Sequence, residues 1–268
     1  MDRLFDIGFL VFSQLAVGGA FLMNFLDVRI MGKALFRTNG IIFLLSMMLS
    51  LALFSFNHNL SVSDGTWILA FFSLYVFFLV VHLMTLWLGG EKFGNRALWG
   101  AGMTGLLGLV WTGVGYSHPM SDSAFIYLLP LNFCVSALLM GSGLVGMNLG
   151  HCYLTNIHLP ISPYRRMSLL FLLFLVFQAV ISVAGLVQIN DLALIKQAVF
   201  LENMEGLFLW IRFLVGFLGP LILIFMILHT VRIRSTQSAT GLMYIAMMMV
   251  ISGEFFSRFF LLASQKLI

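Results

Sequence analysis

The chain has 268 residues, of which 61% are apolar and only 9% are charged, and its mean hydropathy is +1.05. A soluble domain carries about 25% charged residues, so this composition excludes a cytosolic enzyme, a nucleic-acid binder and a disordered chain. The lipid bilayer must be the main solvent of the folded chain, and we expect an integral membrane protein.

Eight apolar stretches are long enough to cross a bilayer, since one span needs about 20 apolar residues. In chain order they cover residues 5–26, 38–57, 67–88, 98–116, 125–152, 167–189, 207–230 and 240–263. In lipid the backbone must satisfy its own hydrogen bonds, so these stretches are predicted as helices rather than open strands. The sequence therefore predicts an all-α bundle of eight transmembrane helices that forms a single domain over residues 1–268.

The basic residues are unevenly distributed over the short connections between the predicted spans. Nine of the 14 fall in alternate connections and so share one side of the membrane: Arg29, Lys33, Arg37, Lys92, Arg96, Arg165, Arg166, Arg232 and Arg234. The other side has only Arg3, Lys196 and Lys266. By the positive-inside rule the basic side is cytoplasmic. Both termini are then expected on the outer, periplasmic side.

One connection on the outer side, residues 190–206, is longer than the others. Apolar residues such as Leu192, Ile195 and Val199 recur in it at three- and four-residue spacing, which is typical of an amphipathic helix in the membrane interface. We expect an outer interfacial loop or helix at 190–206, and one interpretation is a docking surface for an external partner subunit. The other is a plain loop with one lipid-facing side.

Two ionisable residues, Glu254 and Arg258, fall inside the last span. They are four residues apart, so they share one face of a helix and can pair. Charged side chains within spans usually face the bundle interior and mark function. The pair is either a structural ion pair that fixes helix packing or a proton-handling carboxylate beside a ligand pocket.

Arg212 and Gln14 are two further polar residues within predicted spans. Arg212 lies near the outer end of the seventh span, at a depth where it can converge with Glu254 and Arg258. Alternatively, its side chain reaches out to the interface. Gln14 lies in the middle of the first span, where its amide either bonds another helix or contacts the carbonyl of a ligand.

Three histidines, His82, His151 and His229, lie near the cytoplasmic ends of the third, fifth and seventh spans. At similar depth they can hold a haem, contact a quinone, handle protons, or simply sit in the interface. A b-type haem needs two such ligands. The two cysteines, Cys134 and Cys152, show no metal-site spacing, and no metal site is predicted.

Two stretches resemble the membrane anchor subunit of dimethyl sulfoxide reductase and the related quinone-interacting anchors of polysulfide- and nitrite-reductase type. One is Phe12–Phe21, with the sequence FSQLAVGGAF, and the other is Gly253–Phe260, with the sequence GEFFSRFF. The positions that match are Gln14, Gly18, Gly19, Glu254 and Arg258. The segment 150–166 departs from that family's pattern. The family has eight spans with both termini outside, in agreement with the topology predicted from charge.

The resemblance implies a haem-free, quinone-interacting anchor subunit in the bacterial inner membrane. Such a subunit passes electrons between the menaquinone pool and an iron–sulfur subunit, which serves a molybdenum-containing catalytic subunit. We expect those partners on the outer face, and we expect Glu254 to exchange the proton while Arg212 and Arg258 orient it and Gln14 contacts a quinone oxygen. Two alternatives stay open: a membrane cytochrome subunit with haem b on His82, His151 or His229, and a small-solute transporter.

Overall fold

The computed structural model describes residues 2–55, 62–117, 125–156, 158–187 and 204–264. Within these ranges eight helices are long and apolar enough to cross a membrane, and no strand is present. The prediction of an all-α, eight-span membrane bundle is therefore confirmed.

The helices are numbered in chain order, and the seventh span is interrupted by a π-helical segment. The bounds are α1 Asp2–Met23, the short α2 Val28–Met31, α3 Lys33–Phe54, α4 Val62–Leu88, α5 Glu91–Ser117, α6 Phe125–Thr155, α7 Ser162–Val187, α8 Met204–Phe213, the π-helical segment Leu214–Leu218, α9 Gly219–Arg232 and α10 Thr236–Ser264.

We define the basic end of the bundle by the connections at residues 24–32, 89–90, 156–161 and 233–235. Most helices extend further than the predicted spans at this end, although α1 ends at Met23, three residues before the predicted end of its span. α3 begins at Lys33, and α7 begins at Ser162. Several basic residues that the sequence placed in loops thus lie on helices, because helical hydrogen bonding continues beyond the apolar core of a span. Arg37 is an example: its Nη2 donates to the Leu86 carbonyl at 3.0 Å, and its guanidinium lies 4.2 Å from the Trp87 ring.

The predicted interfacial segment at 190–206 lies largely outside the described residues, which resume at 204. Its last three residues, 204–206, are the beginning of α8. The helix thus begins three residues before the predicted start of the seventh span at 207.

The spans form two groups of four. α1, α3, α4 and α5 pack in a ring, with each helix against two others, and α6, α7, α8–α9 and α10 do the same. The groups meet where α1 packs against α6 and α10, and where α5 packs against α6. Because α1 and α6 stand at this junction, they are the most enclosed spans, 67% and 72% buried against 28% for α4.

Glycines allow α1 and α6 to approach each other closely. A Cβ added at Gly18 would collide with the backbone of Ala137, and one added at Gly141 would collide with the backbone of Gly18. Small residues at a helix contact let backbones touch, which is a main source of packing in membranes. This contact brings Gln14, one turn from Gly18, to the surface of α6.

The seventh span changes its helical form between Arg212 and Pro220. Pro220 has no backbone N–H to donate to the carbonyl four residues earlier, which is that of Gly216. The chain adopts a π-helical turn at Leu214–Leu218 immediately before this proline. Such bulges occur frequently at functional sites, and Arg212 lies on the helical turn immediately before this one.

Candidate functional site

Glu254 lies between two arginines in the interior of the bundle. Its Oε1 is 2.9 Å from Nη2 of Arg212, and its Oε2 is 3.1 Å from Nη2 of Arg258. Glu254 and Arg258 are fully buried, and Arg212 is 1% exposed. The convergence predicted for these three residues is confirmed, and Arg212 does not reach out to the interface.

A contact between two glycines holds α10 against the seventh span at this level. Gly253 precedes Glu254, and Gly216 lies one turn after Arg212. A Cβ added at Gly216 would lie 2.9 Å from the Cα of Gly253. The two backbones therefore touch, and the side chains of Arg212 and Glu254 can pair across the contact.

Three uncharged side chains complete the polar cluster around the ion pair. Arg258 donates from Nη1 to Oδ1 of Asn132 at 2.7 Å and from Nη2 to Oε1 of Gln14 at 3.2 Å. Ser136 donates to Oε2 of Glu254 at 2.6 Å. We refer to these six buried residues as the polar cluster: Gln14, Asn132, Ser136, Arg212, Glu254 and Arg258.

Gln14 makes interhelical hydrogen bonds, which is one of its two predicted roles. Asn132 and Ser136 on α6 are site residues that the sequence interpretation missed. A usable signal was present, because Asn132 and Ser136 are four residues apart in an apolar helix, the same spacing as Glu254 and Arg258. Two polar residues at this spacing share one helix face, and the face that carries them turns inward.

The hydroxyl of Ser136 has two acceptors within reach but only one proton to donate. Its Oγ is 2.6 Å from Oε2 of Glu254 and 3.1 Å from Oε1 of Gln14. A guanidinium has no acceptor, so the amide oxygen of Gln14 must face Arg258, and the amide cannot be turned to supply a second proton. Ser136 can therefore donate its hydrogen bond to the Glu254 carboxylate or to the Gln14 amide oxygen, but not to both at once.

The polar cluster has more hydrogen-bond donors than acceptors. Four nitrogens have no acceptor among the described residues: Gln14 Nε2, Asn132 Nδ2, Arg212 Nε and Arg258 Nε. Buried donors are rarely left without a partner, and each exception calls for an explanation such as water, an ion or a ligand. The chemistry that would satisfy this set is a molecule that offers acceptor oxygens.

The charges of the polar cluster do not balance when Glu254 is ionised, since two guanidiniums face one carboxylate. Aromatic rings cover both cations: Arg212 lies 4.3 Å from the Phe217 ring centre, and Arg258 lies 4.6 Å from that of Phe133. A guanidinium is attracted to the face of such a ring. The remaining positive charge favours a ligand that is electron-rich or that becomes negative as it reacts.

The structure does not bring the three predicted histidines together. His82 is buried on α4, and its Nδ1 lies 2.8 Å from the carbonyl oxygen of Gly94, whereas His151 on α6 and His229 on α9 are exposed. In the part of the chain that is described, no three His, Cys, Asp or Glu side chains are grouped to hold a metal.

A separate cavity of about 380 Å³ opens at the basic end of the bundle. Its walls include Asn24, Asp27, Arg29 and Asn95, which come from the connection after α1 and the beginning of α5. No residue of the polar cluster lines it. The cavity and the polar cluster are thus two distinct features of the fold.

Fold and site together define an all-α, multi-pass membrane protein with a buried ionic site at the junction of its two helix groups. Comparisons of the chain with family models, curated proteins and solved structures gave no match. The chemistry of the polar cluster is therefore the main guide to what the protein does.

Proposed function

We propose that the chain is the quinone-interacting membrane anchor subunit of a multi-subunit respiratory oxidoreductase in the bacterial inner membrane. In this role it exchanges electrons between the menaquinone pool and an iron–sulfur or haem partner subunit, which supplies a redox catalytic subunit. The proposal extends the sequence resemblance of Phe12–Phe21 and Gly253–Phe260, since three of the five matching positions, Gln14, Glu254 and Arg258, belong to the polar cluster.

The observation that supports it most is the excess of buried donors in the polar cluster. A quinone carries carbonyl oxygens that accept hydrogen bonds, and the nitrogens without acceptors on Gln14, Asn132, Arg212 and Arg258 fit such oxygens. An apolar ring and tail also suit the many aromatic and aliphatic side chains around the cluster. Menaquinone supplies two-electron, two-proton redox chemistry when it is bound.

The chain's own residues handle the proton. Glu254, held by Arg212 and Arg258, is the acceptor for a proton that leaves a quinol hydroxyl. Once Glu254 is protonated it no longer needs the Ser136 hydrogen bond, and Ser136 can donate to Gln14 instead. Glu254 must pass this proton on before it can accept the second one.

The electrons must go to another chain in this proposal. With two cysteines the chain cannot supply the four thiolates that usually hold an iron–sulfur cluster. Glu254 lies nearer to the end of α10 than to its beginning, in the half of the bundle away from the basic end. We therefore propose that the partner subunits dock on the face opposite the basic end, which is the outer face by the positive-inside rule.

Direct binding tests the proposal. The purified full-length chain in lipid nanodiscs is titrated with a short-tailed naphthoquinone by calorimetry, and we expect saturable binding. Gln14→Leu removes the free amide donor, together with the oxygen that accepts from Arg258, without changing charge. It should weaken binding about tenfold or more, at least the effect of one lost hydrogen bond. Gln237→Leu, at an exposed position of α10, is the matched control. Absence of saturable binding to the wild type would contradict the proposal.

A reduced-minus-oxidised visible spectrum of the complex purified from native membranes distinguishes the quinone anchor from the two alternatives, a membrane cytochrome subunit and a small-solute transporter. We expect iron–sulfur or haem subunits to co-purify and no b-type signal from this chain. A b-type signal assigned to this chain would favour the cytochrome alternative, with His82 as the buried candidate ligand. Purification without any redox partner would favour the transporter alternative.

A further inference from the structure

Two polar residues of α7, Gln178 and Ser182, are fully buried, yet both amide atoms of Gln178 and the hydroxyl of Ser182 lack a hydrogen-bond partner among the described residues. They are four residues apart and so share one face of α7. No residue of the polar cluster lies on α7. Their place in the bundle follows from the way α7 and α10 both pack on α6.

Side chains of α7 and α10 meet over glycines of α6. A Cβ added at Gly150 would touch Tyr164 of α7 and Thr240 of α10. In the same way, a Cβ added at Gly143 would touch Phe171 of α7 and Met247 of α10, so each glycine and its two neighbours form one layer. The second layer is displaced from the first by seven residues on each of the three helices. Seven residues are close to two helical turns, so the same faces stay in register.

One more step of seven residues reaches the polar cluster. It leads to Ser136 on α6, Glu254 on α10 and Gln178 on α7. The hydrogen bond of 2.6 Å between Ser136 and Glu254 shows that the register of α6 and α10 continues to this level.

A step of four residues beyond that leads to Asn132, Arg258 and Ser182. The hydrogen bond of 2.7 Å between Asn132 and Arg258 again confirms the register of α6 and α10. Gln178 and Ser182 therefore stand at the depth of the polar cluster, on the face of α7 that packs toward α6.

We propose that Gln178 and Ser182 form a second wall of the ligand site and bind the second oxygen of the quinone, while the polar cluster binds the first. This inference rests on the proposed function. The second wall differs from the polar cluster in its chemistry. An amide and a hydroxyl both donate and accept, so Gln178 and Ser182 can donate to a carbonyl of the quinone and accept from a hydroxyl of the quinol.

The test compares two ligands that differ by one carbonyl. A short-tailed naphthoquinone has two ring oxygens, and a tetralone with the same tail has one. The wild-type chain in nanodiscs is expected to bind the naphthoquinone about tenfold more tightly, because a site that hydrogen-bonds an oxygen discriminates against a ligand that lacks it. Gln178→Leu should abolish this preference by weakening only the naphthoquinone, and Ser182→Ala should reduce it in the same direction.

Ser168→Ala is the matched control on α7. Ser168 is also buried, but its hydroxyl already donates to the Tyr164 carbonyl at 3.0 Å, and it lies toward the basic end. The preference for the naphthoquinone should not change in this variant. A preference that survives both Gln178→Leu and Ser182→Ala would overturn the inference and leave the proposed function intact. Failure of the wild type to bind either ligand would overturn both.

The thermal midpoint of the ligand-free protein distinguishes a ligand contact from a structural one. Leucine fills nearly the same volume as glutamine without leaving buried polar atoms unpaired. Gln178→Leu should therefore raise the midpoint of the free chain while it reduces discrimination between the ligands. A lower midpoint together with equal weakening of both ligands would show that Gln178 serves packing alone, and would overturn the inference.

Discussion

Glu254 and Arg212 form an ion pair of 2.9 Å although they come from different helices, and both are buried. The same carboxylate also holds Arg258, so one negative charge serves two positive ones. Removing one partner of a buried pair usually costs much more stability than the intact pair contributes, because the other charge is left uncompensated. The stability lost on substitution therefore depends on which residue of the polar cluster is replaced.

Glu254→Gln is expected to lower the free energy of unfolding by about 3–5 kcal/mol, since it leaves two buried guanidiniums without a counter-charge. Adding Arg212→Gln should recover part of this loss, because it removes one of the two excess charges. Denaturant unfolding of the purified single and double variants measures both effects. Costs that simply add in the double variant would show that Arg212 and Glu254 are not coupled.

The same pair of variants separates proton transfer from stability. Quinol-dependent turnover of the assembled complex should be abolished in Glu254→Gln, since an amide accepts no proton. It should remain abolished in the double variant Glu254→Gln with Arg212→Gln, even where stability recovers. The rate is measured in native membranes after normalising for the amount of assembled complex. Full activity of Glu254→Gln would remove Glu254 from the mechanism.

Ser136→Ala tests the hydroxyl between Glu254 and Gln14. We expect the turnover number to fall about tenfold or more, because the variant loses a group that assists proton transfer. The KM for quinol should change little, because Ser136 contacts two cluster residues rather than the ligand. Ser142→Ala is the control on α6, because the hydroxyl of Ser142 is buried and, within the described ranges, bonds the Leu139 carbonyl alone. Equal turnover in the two variants would argue against a role for the Ser136 hydrogen bond in proton transfer.

Most of the fold was predictable, because a chain that crosses a membrane must meet a few strict physical requirements. Span length, apolarity and backbone hydrogen bonding decide where helices run, and eight were confirmed. Helix ends were less predictable, because the apolar run marks the lipid core and not the end of helical geometry. Lys33 and Ser162 begin their helices in polar sequence for this reason.

The site was predictable only in part. Glu254, Arg258, Arg212 and Gln14 stand out because ionisable groups and amides are costly in lipid. Asn132 and Ser136 are less conspicuous, because a single serine or asparagine in an apolar helix commonly bonds its own backbone. Only the register between α6 and α10 shows that these two face the ion pair.

The contact between Gly216 and Gly253 provides a last test, since it holds α10 against the seventh span beside the Arg212–Glu254 pair. A methyl group at position 253 would collide with the backbone of Gly216, which cannot move out of the way as a flexible side chain can. Gly253→Ala should therefore separate the helices, weaken the ion pair and reduce both thermal stability and quinone affinity.

Gly241→Ala on the same helix is the matched control, because a methyl group there meets nothing within 4 Å. Alanine is the better helix former by about 0.5–1 kcal/mol, so this substitution should be neutral or slightly stabilising. Thermal unfolding and naphthoquinone titration are measured on both variants in the same nanodiscs. If Gly253→Ala behaved like Gly241→Ala in both measurements, close approach of the two glycines would not be what holds Arg212 and Glu254 together.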